Sequence, residues 1–150
     1  MDLILWRHAE AEDTYPDPSR RLTPRGRKQA LRVAGWLRER LPADFILLSS
    51  PAARARDTAL ALSERVREEP GVGLGATPRG LLQAAGWPKA EGAVVVAGHQ
   101  PILGEAAALL LVGEVAALRI KKGAAWWFRS RRRGMLLEVT LLAVADPDLL

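Results

Sequence analysis

The chain has 150 residues, 49% of them hydrophobic and 26% charged, so it falls in the size range of one folded domain and is neither disordered nor collagen-like in composition. It has no cysteine, which excludes a disulfide framework and a thiolate metal site and points to a cytoplasmic setting. The net charge of +5 rests on 18 arginines against 4 lysines, a surplus that suits an oxyanion-bearing partner because the guanidinium fork meets phosphate or carboxylate at two points.

No secretory signal is expected at the N-terminus, because Asp2 stands where positive charge is required and the apolar run at 3–6 is too short. No segment approaches the roughly 20 apolar residues that span a bilayer, so no membrane partner is expected. The run at 3–6 ends abruptly at Arg7-His8, which predicts a buried strand emerging at a sheet edge. A charged loop with Pro16 and Pro18 follows. Thr23-Pro24 then places a capping hydroxyl before a proline, and Ala30, Val33, Ala34, Leu37 and Leu41 recur at helical spacing, predicting a helix over 24–41. The apolar run 45–48 predicts a second strand. Ser50-Pro51 repeats the cap-and-proline opening, and Ala52, Ala55, Ala59, Leu62 and Val66 predict a helix to about 68.

The stretch 71–92 is rich in glycine and proline and reads as connection, with a short helical turn near 81–85. The run 93–97 is the most strand-like in the chain; it stops at Gly98-His99, and Pro101 opens a helix carrying 106–111. Leu118 and Ile120, then 124–128, then 135–142 read as strands, separated by turns at 121–123 and 129–134. Strand and helix alternating three times imply parallel pairing with right-handed crossovers. The expected fold is α/β, a three-layer α/β/α sandwich. Its central sheet is mostly parallel with a partly antiparallel C-terminal edge, formed by one domain over 1–150.

The chemistry gathers at the strand ends. The two histidines, His8 and His99, each directly follow a short apolar strand, and in open sheets of this kind ligands bind just outside those ends. Arg7 adjoins His8, and Arg54 falls in the first turn of the second predicted helix, where free backbone N–H groups also favour an anion. Two imidazoles and two guanidinium groups on one rim are what phosphoryl transfer needs: charge neutralisation on the phosphoryl oxygens and a nitrogen nucleophile held in line.

These residues resemble the histidine phosphatase superfamily, which includes the cofactor-dependent phosphoglycerate mutases. Arg7-His8-Ala9 is similar to its Arg-His-Gly signature. Ser50-Pro51 with Arg54-Ala55 and Thr58-Ala59 is similar to its second motif, and Gly98-His99 to its third. Leu22-Thr23, Gly26 and Gln29-Ala30 match the family's first helix. The resemblance implies that His8 is the phosphorylated nucleophile and that Arg7, Arg54 and His99 bind the phosphoryl oxygens. No cofactor is expected, nor a metal between the histidines, because the arginines beside them would repel a cation. The short length, Glu10 after Arg-His-Ala, and Lys122-Gly123-Ala124 are most similar to the small SixA-type phosphohistidine phosphatases. Arg20 matches an arginine of that branch in the phosphate pocket, a place that Arg21 beside it could also fill.

Two positions depart from the family pattern. Ala9 replaces the usual glycine, and the neighbourhood where larger members carry a glutamate proton donor reads Leu81-Leu82-Gln83. Glu10, Glu12, Asp13 and Asp17 are the alternative donors, Glu10 first because it is nearest to the nucleophile. An imidazole leaves phosphorus more readily than an alkoxide, so a missing acid favours a phosphorylated protein over a sugar phosphate as substrate. A phosphomonoesterase acting on a small metabolite or nucleotide would share every residue named. A nucleic-acid binder is the rival from another class, motivated by Arg129, Arg131, Arg132 and Arg133 beside Trp126, Trp127 and Phe128. A hairpin turn with solvated charges and core-packed tryptophans accounts for that cluster more simply. Oligomeric state is not legible.

Overall fold

The apolar run after the N-terminus forms strand β1 (Asp2–Arg7), whose side chains alternate between two cores: Leu3 and Leu5 enter one apolar cluster, Ile4 and Trp6 the other. The computed structural model describes residues 1–150. The remaining elements in chain order are α1 (Pro24–Arg38), β2 (Ile46–Ser49), α2 (Ala53–Leu60), β3 (Val66–Glu68), α3 (Pro78–Ala84), β4 (Ala93–Gly98), α4 (Ile102–Val112), β5 (Ala125–Arg133) and β6 (Leu136–Ala145). The sheet runs β3-β2-β4-β1-β5-β6. β1 and β2 flank β4 in parallel, β3 continues the parallel half, and β5 and β6 are antiparallel. One face carries α3 and α4 through Leu81, Leu103, Ala106 and Ala107; the other carries α1 and α2 through Val33, Ala34, Leu37 and Ala59. This is the expected α/β/α sandwich with an antiparallel end. No helix is long and apolar enough to cross a membrane.

Five features differ from the sequence expectation, each for a physical reason. α1 stops at Arg38 rather than 41, where the Arg40 and Leu41 N–H groups both turn back to the Leu37 carbonyl. α2 ends at Leu60 instead of near 68: Val66 is drawn into the sheet opposite Leu47, and Ser63 turns the chain by accepting the Arg65 N–H at 3.1 Å. Leu118 and Ile120 lie in no strand, because their carbonyls are taken by the Gln100 amide and the Arg7 guanidinium instead of a ladder. Residues 129–133, expected as a turn, extend β5, and the reversal narrows to Gly134 and Met135. There Arg129 meets Asp2 through two 2.7 Å hydrogen bonds, and Arg133 lies 3.1 Å from Glu138. The third helix, expected only as a turn, is capped by Thr77, which accepts the Gly80 N–H at 3.0 Å. Thr77-Pro78 is the same signal as Thr23-Pro24.

Candidate active site

β1 and β4 are neighbours, so their ends deliver both histidines to one place. The His8 N–H donates to the Gly98 carbonyl at 3.0 Å, and the rings of His8 and His99 lie 5.4 Å apart, tilted by 55°. Both are buried, 8% and 3% exposed. β2 borders β4 on the other side, and the Ser50 N–H continues that ladder to the Ala97 carbonyl. Three adjacent strand ends therefore meet at one rim.

Each ring has a defined proton arrangement. His8 Nδ1 lies 2.7 Å from the Ala9 carbonyl, which only accepts, so Nδ1 carries the proton and Nε2 keeps its lone pair. Burial, then the neighbouring His99, Arg54 and Arg7, depress the His8 pKa to about 3 against the pull of the Ala9 carbonyl. The nucleophile candidate is thus neutral at physiological pH. His99 Nε2 lies 2.8 Å from Ser50 Oγ, which also accepts the Ala52 N–H at 3.2 Å. The Ser50 hydroxyl proton has only His99 to go to, so Ser50 donates to Nε2 and the His99 proton sits on Nδ1. Burial, followed by Arg54 and Arg7, lowers the His99 pKa to about 4, with Asp17 opposing.

The serine read from sequence as a helix cap is therefore committed to His99, and α2 begins three residues later at Ala53 without a side-chain cap. Sequence reasoning missed this role, because cap and tautomer partner look alike in Ser50-Pro51.

The arginines complete the rim. Arg7 NH1 donates to the Ile120 carbonyl at 2.9 Å. Arg54, 5% exposed, donates to the Asp17 carbonyl oxygen at 2.9 Å and to its carboxylate at 3.1 Å. Arg20 joins the same Asp17 carboxylate at 3.1 Å, so it is tied to Arg54 through a shared anion. Arg20, with Arg54 behind it, holds the Asp17 carboxyl below the ordinary carboxylate range. Arg21 is spent elsewhere, on Asp57 of α2 at 2.7 Å. Three buried polar atoms of this rim have no partner: Arg7 Nε, Arg54 Nε and His99 Nδ1. Two guanidinium N–H groups and one imidazole N–H left unsatisfied beside a buried histidine pair describe an anion site.

Glu10 does not join the pair. Its carboxylate accepts the Thr23 hydroxyl at 2.9 Å and lies 3.7 Å from Arg25, at the N-terminus of α1, with no hydrogen bond to either histidine. The loop after His8 is fixed by backbone contacts: the Ala9 N–H donates to Thr58 Oγ1 and the Glu10 N–H to Gln29 Oε1, both at 3.0 Å. Gly123 closes the opposite side, its N–H shared by the carbonyls of Arg7 and His8.

Comparison with known proteins gives this geometry a family. Residues 3–73 match the profile of the histidine phosphatase superfamily (branch 1). An uncharacterised protein of Picosynechococcus sp. (strain ATCC 27264 / PCC 7002 / PR-6) is 37% identical over 143 residues, covering 87% of this chain and 86% of the relative. Among solved structures, a SixA from Nakamurella multipartitia, assigned as a phosphohistidine phosphatase, is 25% identical with a TM-score of 0.76 over 97% of this chain and 95% of its own. A SixA from Agrobacterium tumefaciens, assigned likewise, is 25% identical with a TM-score of 0.75 over 97% of each chain. The protein histidine phosphatase SixA complexed with tungstate shares the fold at a TM-score of 0.76, with 23% identity over 99% of each chain. The chain belongs to the histidine phosphatase superfamily.

Proposed function

We propose that this protein is a SixA-type phosphatase that removes phosphoryl groups from phosphohistidine in proteins through a covalent intermediate on His8. The observation that carries the reading is the set of buried, unpartnered atoms Arg7 Nε, Arg54 Nε and His99 Nδ1 around a histidine whose Nε2 is unprotonated. The neutral Nε2 attacks phosphorus, a P–N bond forms, and the bond to the leaving group breaks. Arg7 and Arg54 neutralise the charge spread over the phosphoryl oxygens, and His99 Nδ1–H donates to one of them or to the departing atom. Water then attacks the phosphohistidine, its proton passing to solvent, and His8 Nε2 is regenerated as inorganic phosphate leaves.

Arg20 belongs to this machinery as an outer cation that shares Asp17 with Arg54. No carboxyl is hydrogen-bonded to either histidine, so a poor alkoxide leaving group would lack a strong acid, whereas the imidazole of a phosphohistidine depends on one far less. The SixA proteins of Nakamurella multipartitia and Agrobacterium tumefaciens are assigned the same substrate class. A cytoplasmic setting, with the whole chain as one catalytic unit, completes the reading and agrees with the absence of cysteine.

The test compares turnover of a histidine-phosphorylated protein and of an aryl phosphate by the wild type, His8→Ala and His99→Ala, all in chelator. The expected result is at least a roughly 10³-fold loss in His8→Ala, a smaller loss in His99→Ala, and a wild-type preference for the phosphoprotein. Equal rates for wild type and His8→Ala would contradict the proposal.

A further inference from the structure

A cleft of about 600 Å³ opens beside Arg7, bordered by Gln100, Glu105 and the segment 115–119. The segment has no regular structure, yet it is clamped. The Gln100 side chain donates to the Leu118 carbonyl at 2.9 Å and accepts the Gly104 N–H at 2.8 Å. The Leu118 carbonyl lies so close over Gly104 that any Cβ there would overlap it. On the other side Ile120 is fully buried and its carbonyl takes the Arg7 guanidinium at 2.9 Å. Arg119 stands between these two anchored residues, exposed, with no ion pair and no hydrogen bond. Its charge also lowers the pKa of Arg7, after burial. The one carboxylate of the cleft, Glu105, pairs with neither arginine.

Two like charges lining one cleft repel each other, and an anion placed between them removes that cost. We infer that this cleft is a subsite for a second anionic group of the substrate, a carboxylate or phosphate on the leaving-group side of the scissile phosphoryl, held by Arg119 in the cleft it shares with Arg7. The inference rests on the proposed phosphatase reading for which side of the cleft holds the reacting group. Glu105 sets the upper limit on selectivity, because it lines the same cleft and repels the same anion.

The test measures binding by calorimetry to the wild type, Arg119→Ala and Glu105→Gln. The probes are propylphosphonate, which has one anionic group, and 4-phosphonobutyrate and propane-1,3-diphosphonate, which have two. In the wild type both double anions should bind about 10-fold tighter than propylphosphonate. Arg119→Ala should erase that difference while leaving propylphosphonate within about 2-fold, and Glu105→Gln should widen it about 2- to 3-fold. Opposite signs from the two variants are not expected of a merely structural role. Equal binding of the three probes by the wild type, or an equal loss of all three in Arg119→Ala, would overturn the inference.

Peptides carrying phosphohistidine next to Asp or next to Asn distinguish the source of the second anion. An Asp preference in kcat/KM that vanishes in Arg119→Ala assigns it to a protein side chain; its absence, with the double-anion preference intact, assigns it to a small substrate. If binding behaves as expected but no turnover depends on His8, the subsite stands and the catalytic reading fails.

Discussion

Ser50 is the residue on which the chemistry of His99 turns, since its buried hydroxyl leaves the imidazole one place for its proton, Nδ1, the atom without a partner. Ser50→Ala should lower kcat roughly 10- to 100-fold with little change in KM. Nitrogen NMR of His99 should report a shift of its proton between ring nitrogens in that variant, and Ser50→Thr should restore both. An unchanged tautomer with the same loss of kcat would make Ser50 a packing residue only. The two rings also predict an acid sensitivity. His8 and His99 titrate at about 3 and about 4 in the folded protein, below the ordinary value of 6.5. The unfolded chain therefore binds more protons between these values, so stability is fully present above about pH 6.5 and declines as pH falls towards 4. Urea midpoints at pH 7.5 and 4.5 should show the decline, and His8→Asn/His99→Asn should flatten it. The depressed carboxyls of Asp2, Asp17 and Asp146 add their losses only below about pH 4.

At this scale His8, His99, Arg7 and Arg54 were legible because each stands at the end of an apolar run or the start of a helix. The bonds of Ser50 to His99 and Asp17 to Arg54 were not, because each joins segments 49 and 37 residues apart in the chain, and no local pattern encodes that distance.

Among the elements, α1 acts as the seat for the loop that follows His8. Its first turn brings Gly26 against the Glu10 backbone so tightly that a methyl group would overlap the Glu10 carbonyl. Gln29 holds the Glu10 N–H, and the Thr23 N–H donates to the Glu10 carbonyl at 3.0 Å. Gly26→Ala should therefore cost about 1–3 kcal/mol of stability by chemical denaturation and lower kcat as the loop after His8 shifts. A variant as stable and active as the wild type would mean that the loop yields freely.

The element order was readable because strands 3–6 and 93–97 are continuous apolar runs, as two-sided burial demands. The three-residue strand β3 was hidden because its partly exposed Val-Arg-Glu sequence continues the helical spacing of α2, and only pairing with β2 makes it a strand. The sequence pattern ends β5 early because the five residues from Arg129 look like a turn; the hairpin tolerates them because Arg129 pairs with Asp2 and Ser130 with Met1, while Arg131, Arg132 and Arg133 run on into solvent.

For the whole molecule, the parallel half of the sheet is what assembles the site: β1, β4 and β2 point the same way, so three segments distant in sequence end side by side. The chain carries a net charge of +5, with arginine as its main cation. kcat/KM for an acidic phosphoprotein should fall several-fold between about 20 and 300 mM salt while kcat stays constant, since screening weakens encounter and leaves the buried chemistry untouched. Salt-independent kcat/KM would mean that the surface arginines do not steer.

Everything in the proposed mechanism depends on the passage of a phosphoryl group through His8. Its most direct test is to quench the wild type and His8→Ala during turnover of labelled substrate and assay protein-bound phosphate. Acid-labile, base-stable label at Nε2 of His8 is expected in the wild type and none in His8→Ala. Label that survives acid, or equal labelling of both proteins, would contradict that mechanism.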